Sequence, residues 1–371
     1  MVYFSPVPWF SFTQRPHKYV QWFHERTGGK VLWVDPYPTR FPVLSDFQNN
    51  KSKLRKSSDL IGATITPDWL TLTRARALPI EPLPGSGWVN GLFWRKLLQQ
   101  IDLFLKNGNC QIVVGKPSEL ALRVLDRYPG VFSIYDAMDD FPAFYHGFSK
   151  QAMARREQAV AARVSQVLVS STMLAERFSG LQSRPVITLN ACAIESLPFM
   201  SEKTQKPVQA VLGYVGTMGH WFDWKLVFSI ARANPSMCIR LIGPVYTAPP
   251  AGIPLNIQML PACDHASAIL WMQGFSVGLI PFLKNELTAS VDPIKYYEYF
   301  ALGLPVLSTR FGEMALRDGS PGVFLVDSED NLAFQVETAL TYKYRIEDIN
   351  IFRIKNSWES RFDKIDFIAE I

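Results

Sequence analysis

Short apolar runs alternate along this chain with longer segments whose apolar positions recur at helical spacing. Parallel strands buried on both faces and covered by helices produce that pattern. In the first half the runs fall at residues 2–4, 31–34, 60–65, 112–114, 131–135 and 167–170. Between 190 and 209 the pattern lapses into a mixed stretch holding Pro198, Lys203, Lys206 and Pro207, which reads as a linker. A second alternation follows at 212–215, 238–242, 277–280, 306–308 and 323–326. The expected architecture is α/β with two Rossmann-like domains, one over 1–195 and one over 210–356. A linker at 196–209 joins them, and a final helix lies within 357–371. No repeat of 20–50 residues is evident, which sets solenoids and propellers aside.

Length and composition agree with two cores. The 371 residues exceed what one hydrophobic core holds, and 48% hydrophobic against 19% charged residues describes a globular chain. Cys110, Cys192, Cys238 and Cys263 stand far apart, the spacing of reduced thiols and not of a zinc knuckle or disulfide framework. The longest apolar region, 268–283, is interrupted by Gln273, Gly274, Gly278 and Pro281 and is too short to span a bilayer. Pro6 and Pro8 interrupt the first apolar stretch, so no leader is expected there. A cytoplasmic location follows, with peripheral attachment to the inner face of the cytoplasmic membrane left open.

Charge is uneven. Residues 1–200 carry 23 Lys+Arg against 15 Asp+Glu, whereas the rest carries a small acidic excess. A basic first half suits an anionic membrane surface or a lipid-diphosphate acceptor. Nucleic acid is not expected, because no DNA- or RNA-binding signature appears and the basic residues are scattered. The segment 91–106 combines an apolar face with cations at both ends, which an interfacial helix and a sheet-covering helix both require. The basic run Lys51, Lys53, Arg55 and Lys56 reads as a solvated face or a contact for lipid diphosphate.

Residues 285–309 carry most of the candidate chemistry. Asp292 is expected as an N-cap with Pro293 at the first helical position, and Gly303 with Pro305 ends the helix before a strand at 306–308. About three helical turns are expected. Lys295 then sits in the first turn and Glu298 on the same face three residues on. A phosphate there would gain from the helix dipole, the N–H groups and Lys295 together, and Glu298 would accept from two ribose hydroxyls. A capped amphipathic helix built for stability alone is the alternative.

The pattern Pro293-x-Lys295-x-x-Glu298-Tyr299-x-Ala301-x-Gly303-x-Pro305-Val306 resembles the nucleotide-sugar motif of two-domain GT-B glycosyltransferases, particularly glycosyltransferase family 4. The resemblance implies two Rossmann-like domains with parallel sheets facing each other across a cleft. Many such enzymes carry a further glutamate eight residues before the ribose-binding one, where this chain has Ser290. Asn285, Thr288 and Asp292 are candidates to replace it at the donor sugar. Gly213, Gly216 and Gly219, followed by Trp221, Phe222 and Asp223, resemble the opening of the donor domain, with Gly216 and Thr217 as the diphosphate contacts. A tight turn would use glycines in the same way. Ser357-Trp358-x-x-Arg361 resembles the terminal helix of these enzymes, which packs back toward the first domain.

Two segments in the first half complete the candidates. Gln14-Arg15-Pro16-His17 resembles a segment following the first strand of family-4-like enzymes; Arg15 is expected on the acceptor and His17 on a sugar hydroxyl. A plain helix start, with Arg15 solvated and His17 capping, is the alternative. Tyr135-Asp136-x-x-Asp139-Asp140 places three carboxylates within five residues, a costly cluster unless hydroxyls, cations, a metal or a shared proton relieve it; a structural N-cap cluster for the next helix is the alternative. It resembles a segment of polysaccharide glycosyltransferases. Asp139 or Asp140 is expected against the reacting sugars, with Asp136 at the turn or the acceptor.

The reading implied is a hexosyltransferase using a nucleotide-diphosphate sugar and a glycan or lipid-linked glycan acceptor, with retention. No metal or other cofactor is expected. The rivals are a sugar-nucleotide epimerase of the same fold and a non-catalytic membrane-associated subunit of polysaccharide assembly.

Overall fold

A computed structural model describes residues 1–41, 66–106, 108–198, 209–327 and 330–365. The strand expected at 60–65, the basic run at 51–56 and most of the linker at 196–209 lie outside the described residues. The chain forms two compact units: Met1–Val169 with Ala175–Val186, and Ser170–Leu174 with Ile187–Asp366.

In the first unit seven strands form one sheet: β1 (Val2–Phe4), β2 (Val31–Asp35), β3 (Leu70–Arg74), β4 (Gln111–Val114), β5 (Phe132–Ala137), β6 (Gln166–Val169) and β7 (Val186–Ile187). Their order is β3-β2-β1-β4-β5-β6-β7, and the pairs from β3 through β6 run parallel. The interior strands β1, β2 and β4 are buried at every residue, which is why each reads as an unbroken apolar run. Edge strand β3, Leu70-Thr-Leu-Thr-Arg74, is part exposed, and its threonines break the apolar run that marks the interior strands. Helix Arg95–Leu105 buries Leu97, Ile101 and Leu105 in the core, whereas Leu92, Phe93 and Leu103 of the same segment stay exposed.

The second unit holds six parallel strands, β8 (Val211–Val215), β9 (Cys238–Ile242), β10 (Ile257–Leu260), β11 (Val277–Ile280), β12 (Val306–Ser308) and β13 (Val323–Leu325), in the order β10-β9-β8-β11-β12-β13. Alternate residues of β8 feed separate cores, Val211 and Val215 on one face and Leu212 and Tyr214 on the other. Two strand glycines make room for rings: a Cβ on Gly213 would meet Phe275 at 2.2 Å, and one on Gly278 would meet Tyr299 at 2.3 Å. Gly213 therefore serves packing and is not part of a phosphate turn.

Both sheets reverse their strand order beside the first strand, between β1 and β4 and between β8 and β11. In open parallel sheets ligands bind beyond the carboxyl ends of the strands at that reversal. Residues following β8 and β11 thus define the place to look in the second unit, and residues following β1, β4 and β5 in the first. Among the described residues no helix is long and apolar enough to cross a membrane.

Candidate functional site

In the second unit the loop after β8 and the segment after β11 are stitched together. Asp223 N–H donates to Pro281 O at 2.7 Å, Leu283 N–H donates to Trp221 O at 2.7 Å, and Phe222 pairs with Phe282 in an isolated bridge. Gly216 opens the loop with φ 155°, and Gly216 and Thr217 are half-buried. Gly243, with φ 141°, lies against it so closely that a Cβ would stand 2.1 Å from Gly216 O. We expect Gly243→Ala to displace the Gly216 turn and cost about 1–3 kcal/mol, read as a lowered thermal midpoint; an unchanged midpoint would show that the contact is dispensable.

Helix Ile294–Ala301 follows, eight residues and about two turns long, shorter than the sequence implied. Its stop is the expected one: Gly303 adopts φ 68° and donates to Phe300 O, while Leu304 N–H donates to Tyr299 O. Tyr299 seats the helix against the end of β8, its hydroxyl 3.4 Å from both Gly213 O and Val215 N. Lys295 and Glu298 lie on one face as expected, and they pair with each other at 2.5 Å. Both are largely shielded, with side chains 23% and 8% exposed.

Asp292 is not the N-cap. Pro293 occupies that position without a side-chain bond, and Asp292 turns inward. Its carboxylate accepts from Arg317 Nη2 at 2.6 Å, Asn190 N–H at 2.7 Å and Tyr297 hydroxyl at 2.9 Å. Arg317 also stacks 4.1 Å from the Tyr296 ring centre and donates to the Tyr297 hydroxyl. The attraction of Asp292 and Tyr297 outweighs desolvation and holds the Arg317 guanidinium above its ordinary pKa. Asp292 therefore sets the entry angle of the helix, with both carboxylate oxygens engaged by protein groups. Neutralised by Arg317, it also leaves the helix start without a competing anion.

Asn285 and Thr288 cap each other across the short helix Glu286–Ala289: Thr288 N–H donates to Asn285 Oδ1, and Asn285 N–H donates to Thr288 Oγ1, both at 3.1 Å. Thr288 is buried and its hydroxyl donates to Leu283 O at 2.5 Å, whereas Asn285 is exposed. Ser290 is buried, and its hydroxyl has no hydrogen-bond partner among the described residues. The terminal Ser357-Trp358 segment begins with Ser357 as N-cap of helix Trp358–Phe362, bridged to Cys192 within this unit.

In the first unit Arg15 and Asp136 find each other. Arg15 Nε and Nη2 grip the Asp136 carboxylate at 3.0 and 2.7 Å, with side chains 3% and 0% exposed. The acceptor role expected for both gives way to a buried tie between the helix after β1 and the end of β5. His17 is likewise committed. Its Nδ1 accepts from Gln14 N–H at 3.2 Å, so Nε2, 3.0 Å from Trp9 O, is the donor, and burial keeps the ring neutral by lowering its pKa. Neither nitrogen remains for a sugar hydroxyl; His17 braces the Trp9 loop instead.

The carboxylate cluster resolves into separate fates. Asp136 is neutralised by Arg15, and Asp140 accepts from Arg177 Nη1 at 2.6 Å. Arg177 also holds the buried Glu157 at 2.5 Å, to which the Tyr135 hydroxyl donates at 2.8 Å. Asp139, part buried, keeps no ion-pair partner among the described residues. Desolvation, opposed by Arg15 and reinforced by Asp136 and Asp140, pushes its carboxyl up to about 7. Arg177, Glu157, Arg317 and Asn190 gave no signal in the sequence, since each acts through a partner distant in the chain. Among the described residues no group of three His, Cys, Asp or Glu side chains is arranged to hold a metal ion.

Two Rossmann-like α/β units of seven and six strands are the GT-B fold of glycosyltransferases, and solved structures bear this out. The chain matches Anabaena HepE in complex with UDP and glucose at TM-score 0.63 and 12% identity, covering 100% of this chain and 99% of that one. It matches an α,α-trehalose-phosphate synthase (UDP-forming) from Burkholderia vietnamiensis at TM-score 0.62 and 14% identity, covering 99% and 95%. The lipopolysaccharide outer core galactosyltransferase WaaB matches at TM-score 0.59 and 11% identity, covering 100% and 99%. Among curated sequences, TuaH of Bacillus subtilis (strain 168), provisionally named a teichuronic acid biosynthesis glycosyltransferase, is 26% identical over 106 residues. That match covers 27% of this chain and about a quarter, 26%, of TuaH. No family model matches the chain.

Proposed function

We propose that the protein is a glycosyltransferase that moves a hexose from a nucleoside-diphosphate sugar to a glycan or lipid-linked glycan, with retention of anomeric configuration. The observation that carries the reading is the Lys295–Glu298 pair on a helix seated at the reversal of the second sheet, where the Gly216 turn also lies. On donor binding Lys295 releases Glu298 and meets the diphosphate, while Glu298 turns to the ribose diol. Opening the pair leaves Glu298 without its partner in a shielded site, and the diphosphate and the ribose hydroxyls together restore what both groups lose. Leaving-group charge then builds beside the Lys295 ammonium and the helix start, which favour negative charge there. The leaving phosphate assists deprotonation of the acceptor. UDP and UDP-sugars are the first donors to try, because HepE is solved with UDP and glucose and the trehalose-phosphate synthase is named UDP-forming.

The test is a mass-spectrometric screen of nucleotide sugars, each alone and with lipid-linked glycan acceptors. Acceptor-dependent transfer is the expected result. Epimer formation from donor alone, or no turnover of any donor, defeats the reading.

Inversion is the second reading, and the unpaired Asp139 favours it as the general base. Its pKa near 7 also has a consequence for stability. An unfolded carboxylate titrates near 3.9, so the folded chain holds an extra proton between that value and about 7, and stability falls as pH rises through this window. Glu157, raised to about 7 chiefly by burial, acts in the same sense. Asp139→Asn should therefore flatten the decline between about pH 4 and 7 without abolishing it; an unaltered stability profile removes the perturbed carboxyl. The anomeric configuration of the product, read by NMR, separates the two stereochemical courses.

A further inference from the structure

On the helical face of the first unit, a cavity of about 710 Å³ is bounded by the segment around Leu83 and Trp88, helix Glu119–Arg127 and helix Gly147–Ala161. Arg123, Arg155, Arg156 and Arg163 line it, against Glu119 and Asp126. Those two carboxylates are spent locally, Glu119 on Arg156 at 3.0 Å and Asp126 on Arg163 at 2.7 Å, and the buried Glu81 holds Arg156 as well at 3.2 Å. Arg123 and Arg155 have no carboxylate partner among the described residues. Arg123 lies over Gly91, where a Cβ would meet its Nη1 at 2.0 Å, whereas Arg156 is nine-tenths buried and held by Glu81 and Glu119. The cavity is therefore cationic through Arg123 and Arg155.

Its rim is apolar and uncovered. Leu83 is 45% exposed, Trp88 74%, Leu92 53% and Phe93 52%, and Arg95 and Lys96 follow at the surface. A free phosphate would need the arginines but no such rim. A glycerophospholipid surface needs both, phosphate for the guanidinium groups and an interfacial layer for Trp88, Leu92 and Phe93. We propose that this face seats the protein on an anionic phospholipid bilayer, with Arg123 and Arg155 on headgroup phosphates and the 83–93 segment inserted at the interface. This surface is separate from the donor site and stands without it.

Co-sedimentation of the full chain with vesicles tests the proposal. Binding is expected to mixed phosphatidylglycerol–phosphatidylcholine vesicles, to be lost in pure phosphatidylcholine, and to weaken as salt screens the charges. Arg123→Gln with Arg155→Gln should weaken partitioning about thirtyfold, the loss expected for two cations near an anionic surface. Trp88→Ser should weaken it independently, which keeps the test decisive should the double variant fold poorly. Lys343→Gln with Lys355→Gln, the same charge loss in the second unit, should leave it within about twofold. Equal losses in both pairs, binding indifferent to lipid charge, or binding of inorganic phosphate without vesicle partition each overturn the proposal.

Discussion

Replacing Lys295 with methionine is expected to weaken UDP binding roughly 10- to 100-fold while leaving the fold intact. The arithmetic follows from a charge-assisted bond to phosphate worth about 1.5–3 kcal/mol, with each 1.4 kcal/mol a factor of ten. Methionine replaces the packing of the 23% exposed side chain, so the thermal midpoint should fall only by the cost of leaving Glu298 unpaired. Glu298→Gln supplies the complementary result. Titration calorimetry should show Lys295→Met losing affinity for UDP and inorganic pyrophosphate alike, whereas Glu298→Gln loses it for UDP alone. Unchanged UDP affinity in Lys295→Met removes this lysine from the donor site, and equal losses of pyrophosphate binding in both variants remove Glu298 from the ribose.

The largest effect on stability should come from the first unit. Asp136→Ala strands the Arg15 guanidinium in a site where both side chains are almost fully buried. Breaking such a pair costs about 3–5 kcal/mol, whereas replacing both charges with apolar groups is far milder. A lowering of the thermal midpoint on the order of 10 °C is expected for the single variant, with much of it recovered in Arg15→Met/Asp136→Leu. If the single variant melts with the parent protein, the pair contributes no net stability and the tie between the two segments is incidental.

What the sequence disclosed divides along physical lines. Interior strands such as β1, β4 and β11 are buried on both faces, so their residues form continuous apolar runs that any reader can see. Edge strands β3 and β10 are part exposed; threonines in one and Gln258 in the other dilute the signal. At the candidate site, the helix stop at Gly303 and the shared face of Lys295 and Glu298 depend on local spacing and were legible. Asp292 was misread because local capping preference competed with a buried cation, Arg317, 25 residues away, and with Asn190, 102 residues away. The same holds for Arg15, His17 and the aspartate cluster, whose partners are set by the sheet topology. Residue type announced chemistry there, and tertiary pairing decided which of those groups stayed available.

The contact between Lys295 and Glu298 also bears on discrimination. In a donor site, an incoming sulfate or orthophosphate would have to strip the ammonium from its carboxylate and leave that acid stranded at 6% exposure. A ligand bringing an anion and a vicinal diol together satisfies both halves at once. The resting pair would thus act as a coincidence detector, favouring molecules that present both features at the spacing of one helical turn over simple oxyanions, which engage only the ammonium.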